Sequence, residues 1–357
     1  MFRVDASPEV GLGHIMRCLT LAQALKASGD RCYFVCQPGS GLPERLLSEH
    51  GFEFIILDDE RSRGDKATDP FWLNEAQDAN NTGNKIQTIT GGIGWLIVDH
   101  YGLGAQWHEQ LRSAVGRIMV IDDLANRAYH CDALLDQTEG RKPEDYSQFV
   151  PSSCELLLGA KFALLRNQFA EKRAPSIERR RSIERVERIF VSMGGADSEN
   201  LTGLVLEAIN QCKLGYTLEI DVVVGTPSEH LPALQAQAQM SIHRVYLHTD
   251  VSDMAGLMVS ADLAIGAAGI SAWERCCLGM PALIIVADAN QAVIAETLEQ
   301  RGAATIVPTV KPDLIRVALK ALLLDPLRLK QLSTVAQTVC DGNGARIVAD
   351  RLHAMNQ

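Results

Sequence analysis

Residues 4–14, V-D-A-S-P-E-V-G-L-G-H, decide the fold of this chain, because they join a short apolar run to a helix through a glycine-rich turn. The tetrapeptide D-A-S-P ends the apolar run with turn-forming residues. Apolar residues then recur at helical spacing over residues 15–25, and Gly29 ends the pattern. Gly11 and Gly13 can adopt backbone angles that a side chain forbids. We therefore expect a strand, a tight turn and an amphipathic helix in direct succession.

His14 stands where this helix begins. The N–H groups at a helix start suit an anionic ligand, above all a phosphate, and a histidine beside it can take up a proton near neutral pH. The spacing is not the dinucleotide fingerprint, because Met16, rather than glycine or alanine, stands three residues after Gly13. On this motif alone, a functional histidine and a helix-capping or core histidine remain equal alternatives.

The composition excludes several classes of protein. A length of 357 residues predicts two domains, and 46% hydrophobic with only 5% aromatic residues is typical of an α/β protein. A net charge of −10 argues against nucleic acid as a partner. Nine cysteines without a C-x-x-C motif indicate reduced thiols in a cytoplasmic protein. We expect neither a secretory signal nor a membrane-spanning segment.

In the first half, apolar runs alternate with helical patterns, which predicts βαβ units and a parallel sheet. The predicted strands are residues 1–4, 31–37, 52–57, 95–99 and 117–123, and the predicted helices are 42–50 and 106–115. Ligands of such sheets bind beyond the carboxyl ends of the strands. Asp5, Asp99, Tyr101 and Asp122 fall at those ends and are candidates for supporting His14 or binding a sugar.

The second half repeats the alternation. Its predicted strands are residues 188–193, 218–224, 245–248, 263–266 and 281–286, and its predicted helices begin near 197–200, 251, 273 and 289. Residues 171–187 are strongly charged with mixed signs, which favours a solvated linker or helix face, and we expect the domain junction there. We therefore expect an N-terminal domain over 1–170 and a C-terminal domain over 188–357, with facing sheets and a cleft between them.

Two further glycine-rich turns precede predicted helices in the second half, around Gly194 and Gly195 and over residues 266–271. Together with the first turn they favour a diphosphate ligand, because each supplies backbone N–H groups. Glu274 follows the last turn, and its carboxylate suits the two hydroxyls of a ribose. The alternative is an acid placed at a helix start for its favourable interaction with the helix dipole.

Residues 266–291, G-A-A-G-I-S-A-W-E-R-C-C-L-G-M-P-A-L-I-I-V-A-D-A-N-Q, resemble the nucleotide-sugar signature of GT-B glycosyltransferases, especially the N-acetylglucosaminyltransferase of peptidoglycan synthesis. Further motifs narrow the resemblance: V-D-A-S-x-x-x-G-x-G-H-x-x-R-C-L near the N-terminus, D-H-Y-G at 99–102, I-D-D-L-A-N-R at 121–127, C-D-A-L-L-D-Q at 131–137, F-A-L-L-R at 162–166 and M-G-G-A-D at 193–197. Together they closely resemble the UDP-2,4-diacetamido-2,4,6-trideoxy-β-L-altropyranose hydrolase family of pseudaminic acid biosynthesis.

The resemblance implies a GT-B-like α/β fold of two Rossmann-like, doubly wound domains facing across a cleft. It implies hydrolysis of a UDP-sugar to UDP and free sugar by a cytoplasmic monomer that uses no metal or cofactor and serves flagellin glycosylation. His14 then matches the catalytic histidine and Glu274 the ribose ligand. The other residues that it assigns to UDP or substrate binding are Gly11, Gly13, Arg17, Gly194, Gly195, Ala268, Gly269, Ser271 and Gln291.

The chemistry of the residues agrees independently with this function. UDP is a good leaving group when backbone donors stabilise its developing charge, so the main task is to deprotonate a water molecule opposite it. A histidine suits that task, and inversion at the anomeric carbon is expected. The alternatives are a GT-B glycosyltransferase, a hydrolysing UDP-sugar 2-epimerase and a non-catalytic nucleotide-sugar binding protein.

Overall fold

The computed structural model describes residues 1–6, 12–38, 41–57, 73–194, 197–225, 228–286 and 289–356. The chain forms two compact units. The first contains Met1–Leu164 and Gly344–Gln357, and the second contains Leu165–Asn343. In the described part of the chain, no helix is both long and apolar enough to span a membrane.

The first unit is built on a seven-stranded sheet, as far as the described residues define it. Its strands are β1 (Phe2–Val4), β2 (Tyr33–Cys36), β3 (Glu53–Ile56), β4 (Ile93–Asp99), β5 (Val115–Ile121), β6 (Ala133–Asp136) and β7 (Glu155–Leu158), in the order β3-β2-β1-β4-β5-β6-β7. All neighbouring pairs are parallel. The chain order reverses between β1 and β4, which makes their carboxyl ends the expected ligand position of a doubly wound sheet.

Successive residues of a strand point to opposite faces of the sheet. Both faces of this sheet are covered by helices, so strand residues on both sides of it are buried. Phe2 and Val4 of β1 pack into a core with α1 (Gly13–Ala27) and α13 (Gly344–Met355). The opposite face packs against α3 (Glu75–Gln87) and α4 (Ala105–Leu111), with the fully buried Trp107 at its centre. The remaining α-helix of this unit is α2 (Leu42–Glu49).

The second unit repeats the architecture with a parallel sheet of six described strands. The strands are β8 (Arg188–Ser192), β9 (Glu219–Val223), β10 (Arg244–His248), β11 (Leu263–Gly266), β12 (Ala282–Ile285) and β13 (Thr305–Val307), in the order β10-β9-β8-β11-β12-β13. The helices are α5 (Asn167–Arg181), α6 (Leu201–Asn210), α7 (Leu231–Met240), α8 (Met254–Ser260), α9 (Ser271–Cys277), α10 (Ala289–Gln300), α11 (Pro312–Leu323) and α12 (Pro326–Ala336). In this sheet the chain order reverses between β8 and β11. The segments that follow these two strands carry the glycine-rich turns predicted around Gly194 and over residues 266–271.

The units differ from the predicted domain ranges at two places. Most of the predicted linker is helix α5, which packs against α8, α9 and α12 of the second unit and buries Arg180. Of the two alternatives predicted for this stretch, the structure has the helix, and three of its arginines are not simply solvated: Arg173, Arg179 and Arg180 donate to backbone carbonyls of that unit, for example Arg173 to Gln337 O. The C-terminal helix α13 belongs to the first unit, where it packs on α1.

The predicted strands and helices that carry the motifs are confirmed to within a few residues, and β11 has the predicted bounds. Several elements were not predicted, namely β6, β7, β13, α3, α7, α11, α12 and α13. Part of the polar stretch 58–84 is α3, whose helical face is anchored by the buried Asp78 rather than by apolar residues alone. The rest of that stretch before residue 73 lies outside the described residues.

Candidate active site

One candidate site lies in the first unit, where β1 and β4 end at the reversal of the first sheet. Helix α1 begins at Gly13 and carries His14 and Arg17 three residues apart, which places both on one face. Strand β4 ends with Asp99, and the segment after it carries Tyr101. The fold therefore brings His14 and Arg17 against Asp99, which follows them in the chain by 85 and 82 positions.

The His14 ring is held by a carboxylate, since His14 Nδ1 lies 2.6 Å from Asp99 Oδ1. Burial favours a raised pKa for Asp99, but the neighbouring Arg17 and His14 outweigh it and hold that pKa well below its usual range. An ionised carboxylate can only accept hydrogen bonds, so we infer that Nδ1 carries the proton of the neutral ring. The lone pair of that ring is then on Nε2, the nitrogen turned from Asp99.

Arg17 fixes this carboxylate from the other side. Its Nε donates to Asp99 Oδ2 and its Nη2 to Asp99 Oδ1, both at 2.6 Å. Such a bidentate pair is strong and geometrically specific. Arg17 Nη2 also lies 3.1 Å from His14 Nδ1. Because both nitrogens carry a proton in this assignment, this is a close contact and not a hydrogen bond. The guanidinium is only 3% exposed, which places Arg17 behind Asp99 rather than in the open position expected of a UDP ligand.

Tyr101 and Asp123 complete the cluster. The rings of Tyr101 and His14 pack in a T-shaped arrangement, with their centroids 4.9 Å apart and their planes at 86°. Tyr101 OH donates to Asp123 Oδ1 at 2.5 Å, and Asp123 Oδ2 lies 3.5 Å from Arg17 Nη1. Burial, with Asp123 beside it, raises the pKa of Tyr101 far above its usual value, so the phenol remains a donor. Asp123 was not among the predicted site residues, although its position at a strand end was the available signal.

The other two candidate acids lie elsewhere. Asp5 accepts hydrogen bonds from Arg3 Nη1 and from the backbone N–H of Gln37, both at 2.7 Å, and it pairs with His100 Nε2 at 3.2 Å. These contacts tie the end of β1 to the segments after β2 and β4. Asp5 therefore anchors the start of the first glycine-rich turn and does not bond to His14.

Asp122 is fully buried at the end of β5. Its Oδ2 accepts from the backbone N–H of Ala125 at 2.9 Å and from Tyr146 OH at 2.8 Å. It therefore shapes the turn after β5. Among the three candidate acids Asp5, Asp99 and Asp122, the structure puts Asp99 against His14.

The first turn itself is described only in part. Gly11 lies outside the described residues. Gly13 is the first residue of α1 and has helical geometry, so the missing side chain, rather than an unusual backbone angle, distinguishes it. In the second unit Gly195 also lies outside the described residues, while Gly194 has φ +98° and nothing within 4 Å of the position of a Cβ.

A second candidate site lies in the second unit, at the reversal of its sheet, where β11 leads through residues 267–270 into α9. Ala268 is buried, and its N–H donates to Gln291 Oε1 at 3.2 Å. No atom of the described residues lies within 4 Å of the position that a Cβ of Gly269 would take, so these residues leave one side of the loop open. Ser271 is the first residue of α9 and accepts a hydrogen bond from Arg275.

Glu274 lies in the same short helix. Its side chain is 12% exposed, and its Oε1 accepts from Arg166 Nη2 at 3.3 Å. Burial raises the pKa of Glu274, and Arg166 opposes that rise. Arg166 lies 5.3 Å from the ring centre of the buried Phe169. Arg166 was missed as a supporting residue, although it ends the F-A-L-L-R motif that the sequence analysis singled out.

The chemistry of these two candidate sites differs. The first holds a histidine with a defined proton position, and the second holds a carboxylate and a loop with backbone N–H groups. Among the described residues, no group of three or more His, Cys, Asp or Glu side chains could hold a metal ion. All nine cysteines are unpaired thiols, eight buried and Cys154 partly exposed.

Comparisons with known proteins show which proteins this chain is similar to in sequence and in fold. Residues 188–348 match the family model of the glycosyltransferase family 28 C-terminal domain. A curated relative, the UDP-2,4-diacetamido-2,4,6-trideoxy-beta-L-altropyranose hydrolase of Campylobacter jejuni, is 27% identical over 311 residues, which cover 85% of this chain and 96% of the relative. The predicted resemblance to that hydrolase family is therefore confirmed.

Solved structures confirm the GT-B-like fold. The MurG structure of Acinetobacter baumannii is similar with a TM-score of 0.71 at 17% identity, and the match covers 99% of each chain. The UDP-GlcNAc 2-epimerase of Neisseria meningitidis, solved bound to UDP-GlcNAc, has a TM-score of 0.65 at 11% identity, again over 99% of each chain. At these identities the likeness concerns the fold alone.

Proposed function

We propose that this protein hydrolyses a UDP-linked 2,4-diacetamido-2,4,6-trideoxy sugar (UDP-6-deoxy-AltdiNAc) at its anomeric carbon, releasing UDP and the free sugar. The relative named above, which matches over most of both chains, supports this substrate class. The structural observation that carries the proposal is the His14–Asp99–Arg17 cluster. This cluster gives the chain a general base whose proton position is set by an ionised acid.

The proposed reaction is a direct displacement. His14 Nε2 takes a proton from a water molecule while the water oxygen forms a bond to the anomeric carbon. The bond from that carbon to the diphosphate oxygen breaks, and UDP leaves with the electron pair. Because water attacks opposite the leaving group, the configuration inverts. Asp99 stabilises the imidazolium that forms, and Arg17 keeps Asp99 ionised and in place.

The second unit supplies nucleotide recognition in this proposal. Glu274 accepts hydrogen bonds from the two ribose hydroxyls, and the N–H groups of residues 267–270 donate to the diphosphate. Gly13, Gly194, Ser271 and Gln291 are further proposed contacts or supports of UDP, as are Gly11 and Gly195. No metal or cofactor is part of the proposed reaction.

The test follows UDP and free sugar by NMR during incubation with UDP-diacetamido sugars. His14→Asn should lower kcat about 10²- to 10⁴-fold, because the base is lost, while the Kd for UDP changes less than about threefold. His130→Asn is the control, since His130 is a partly exposed histidine of the same unit that pairs with Glu109. Full activity of His14→Asn would reject the assignment of the base.

A glycosyltransferase is the second candidate, favoured by the family 28 domain match. It predicts UDP release only when a sugar or lipid acceptor is added, whereas a hydrolase needs water alone. A hydrolysing 2-epimerase predicts a product inverted at C2, which the same NMR spectra reveal. A binding protein without activity predicts no UDP release at all.

The cellular role is part of the same proposal. We place the protein in the cytoplasm as a monomer that supplies pseudaminic acid biosynthesis and thereby flagellin glycosylation. Sedimentation of the purified chain tests the monomer, and loss of pseudaminic acid in a deletion strain tests the pathway.

A further inference from the structure

Two buried arginines of the second unit form no ion pair with an acid of the described residues. Arg275 and Arg180 are each 1% exposed, and their hydrogen bonds within the described part of the chain go to backbone carbonyls and serine hydroxyls. Burial lowers the pKa of Arg275 to about 10 and that of Arg180 to about 9. In each side chain, Nε is buried and has no hydrogen-bond partner among the described residues. The positive charge of each guanidinium is therefore only partly compensated by neutral hydrogen-bond acceptors, which is energetically unfavourable.

Arg275 lies directly under the 267–270 loop. Its Nη2 donates to Ala267 O at 2.6 Å, and its Nη1 donates to Ser271 Oγ at 3.2 Å. It thus grips both ends of the loop. A Cβ on Gly266 would lie 2.8 Å from Arg275 Nη1, so the close approach depends on the glycine at the end of β11.

The hydrogen bond from Arg275 to Ala267 O orients the peptide group between Ala267 and Ala268. In a trans peptide the C=O and the next N–H point in opposite directions. Because Ala267 C=O points at Arg275, the N–H of Ala268 points away from it, where Gln291 Oε1 accepts at 3.2 Å. That bond is long and its acceptor is neutral. A phosphate oxygen is a stronger acceptor for the same N–H.

We propose that Arg275 is a positioning residue for the diphosphate of a nucleoside diphosphate, acting through the 267–268 peptide and through its own buried charge. The inference rests on the proposed function, which puts the UDP diphosphate at this loop. The cation polarises the peptide that donates to the phosphate. Its charge, held in a medium of low dielectric constant, attracts the same anion from behind the loop. The diphosphate would add negative charge close to this buried cation, which forms no ion pair with an acid of the described residues.

Arg180 provides a matched comparison. It is equally buried and also bonds to backbone carbonyls, those of Ser176, Met258 and Ala261. These carbonyls belong to α5 and to the end of α8, not to the 267–270 loop. Loss of either arginine removes a buried cation from this unit, but only Arg275 is placed to affect a phosphate.

The experiment titrates the full chain with UDP, UMP and uridine by calorimetry. Arg275→Gln removes the charge, and we expect the affinity for UDP to fall about 10- to 100-fold while that for uridine changes less than about threefold. Arg275→Lys keeps the charge and should retain UDP affinity within about tenfold. Arg180→Gln should change the affinities for UDP and uridine by less than about threefold each.

Equal losses of UDP and uridine affinity in Arg275→Gln, or unchanged UDP affinity, overturn the inference. If Arg275→Gln does not fold, the affinities of Arg275→Lys provide the test. Equal losses of UDP and uridine affinity in Arg275→Lys also overturn the inference. Failure of the proposed function is distinguishable: a chain that binds UDP but releases none from a UDP-sugar in water loses the hydrolase function and leaves the inference standing, whereas a chain that binds neither UDP nor uridine loses both. In contrast, UDP binding that depends on Glu274 but not on Arg275 rejects only the inference.

Discussion

The most informative perturbation of the site is Asp99→Asn, which keeps the size of the side chain and changes its hydrogen-bonding. Asp99 accepts three hydrogen bonds of 2.6 Å, one from His14 and two from Arg17. An amide offers one acceptor oxygen and one NH2 donor. If the oxygen keeps Arg17, the NH2 faces His14 Nδ1, and the ring must move its proton to Nε2. The lone pair then points at the amide rather than at water.

The magnitude follows from these bonds. Loss of a correctly oriented general base costs about 10²- to 10⁴-fold in kcat, which corresponds to about 3–5 kcal/mol of transition-state stabilisation. Arg17 also loses its ionised partner while it remains buried, which lowers the free energy of unfolding by about 3–5 kcal/mol. The substitution touches none of the residues proposed to bind the nucleotide in the second unit. We therefore expect the Kd for UDP to change less than about threefold.

The assay measures kcat by UDP release at a temperature at which circular dichroism shows the variant folded. Asp136→Asn is the matched control, because Asp136 is equally buried in the first unit and pairs with Arg141. The control should lose stability but keep kcat within about threefold. An Asp99→Asn enzyme with near-normal kcat would refute the assigned proton position and the role of Asp99.

Three further predictions concern pH and packing. Glu274→Gln should weaken UDP binding at pH 7.5. It should also remove the loss of UDP affinity that we expect for the unsubstituted chain on acidification, because the raised pKa of Glu274 lets its carboxylate take up a proton above the ordinary value of about 4.3. Calorimetric pH profiles of UDP binding that run parallel in the two proteins would contradict this. Gly266→Ala should lower the free energy of unfolding by about 1–3 kcal/mol, since its Cβ would lie 2.6 Å from Ser192 O, whereas Gly269→Ala should leave urea unfolding unchanged. Because the pKa of Asp99 is lower in the folded state than its value of about 3.9 in the unfolded chain, ionised Asp99 contributes fully to the free energy of unfolding above that pH, and the contribution is lost as the pH falls towards the folded pKa. The free energy of unfolding of Asp99→Asn should therefore depend less on pH below 4 than that of the unsubstituted chain. Equal slopes of free energy against pH in the two proteins would disprove this.

The sequence predicted the strands near the two candidate sites well, because β4, β8 and β11 each contain an apolar run that leads into an acid or a glycine-rich turn. For α5 it left a solvated linker and a helix face as alternatives, because charge pattern alone does not show that Arg173 and Arg180 donate to distant backbone carbonyls. It also missed α13, which returns to the first unit after a long excursion of the chain. Periodicity reports which face of an element is apolar, but it does not report the element against which that face packs.

The sequence by itself determined the α/β class, the glycine-rich turns, and the placement of His14 at a helix start and Glu274 after a small-residue loop. These features depend on local chemistry, namely side-chain periodicity and the conformational freedom of glycine.

Only the tertiary structure decided which acid supports His14, because Asp5, Asp99 and Asp122 all follow strands of one sheet. The strand order puts β4 beside β1, and Asp99 alone among these three then bonds to the ring. The same holds for Arg275, whose burial under the 267–270 loop has no signal in the sequence. Contacts between residues far apart in the chain are set by the packing of whole elements, and local sequence does not encode them.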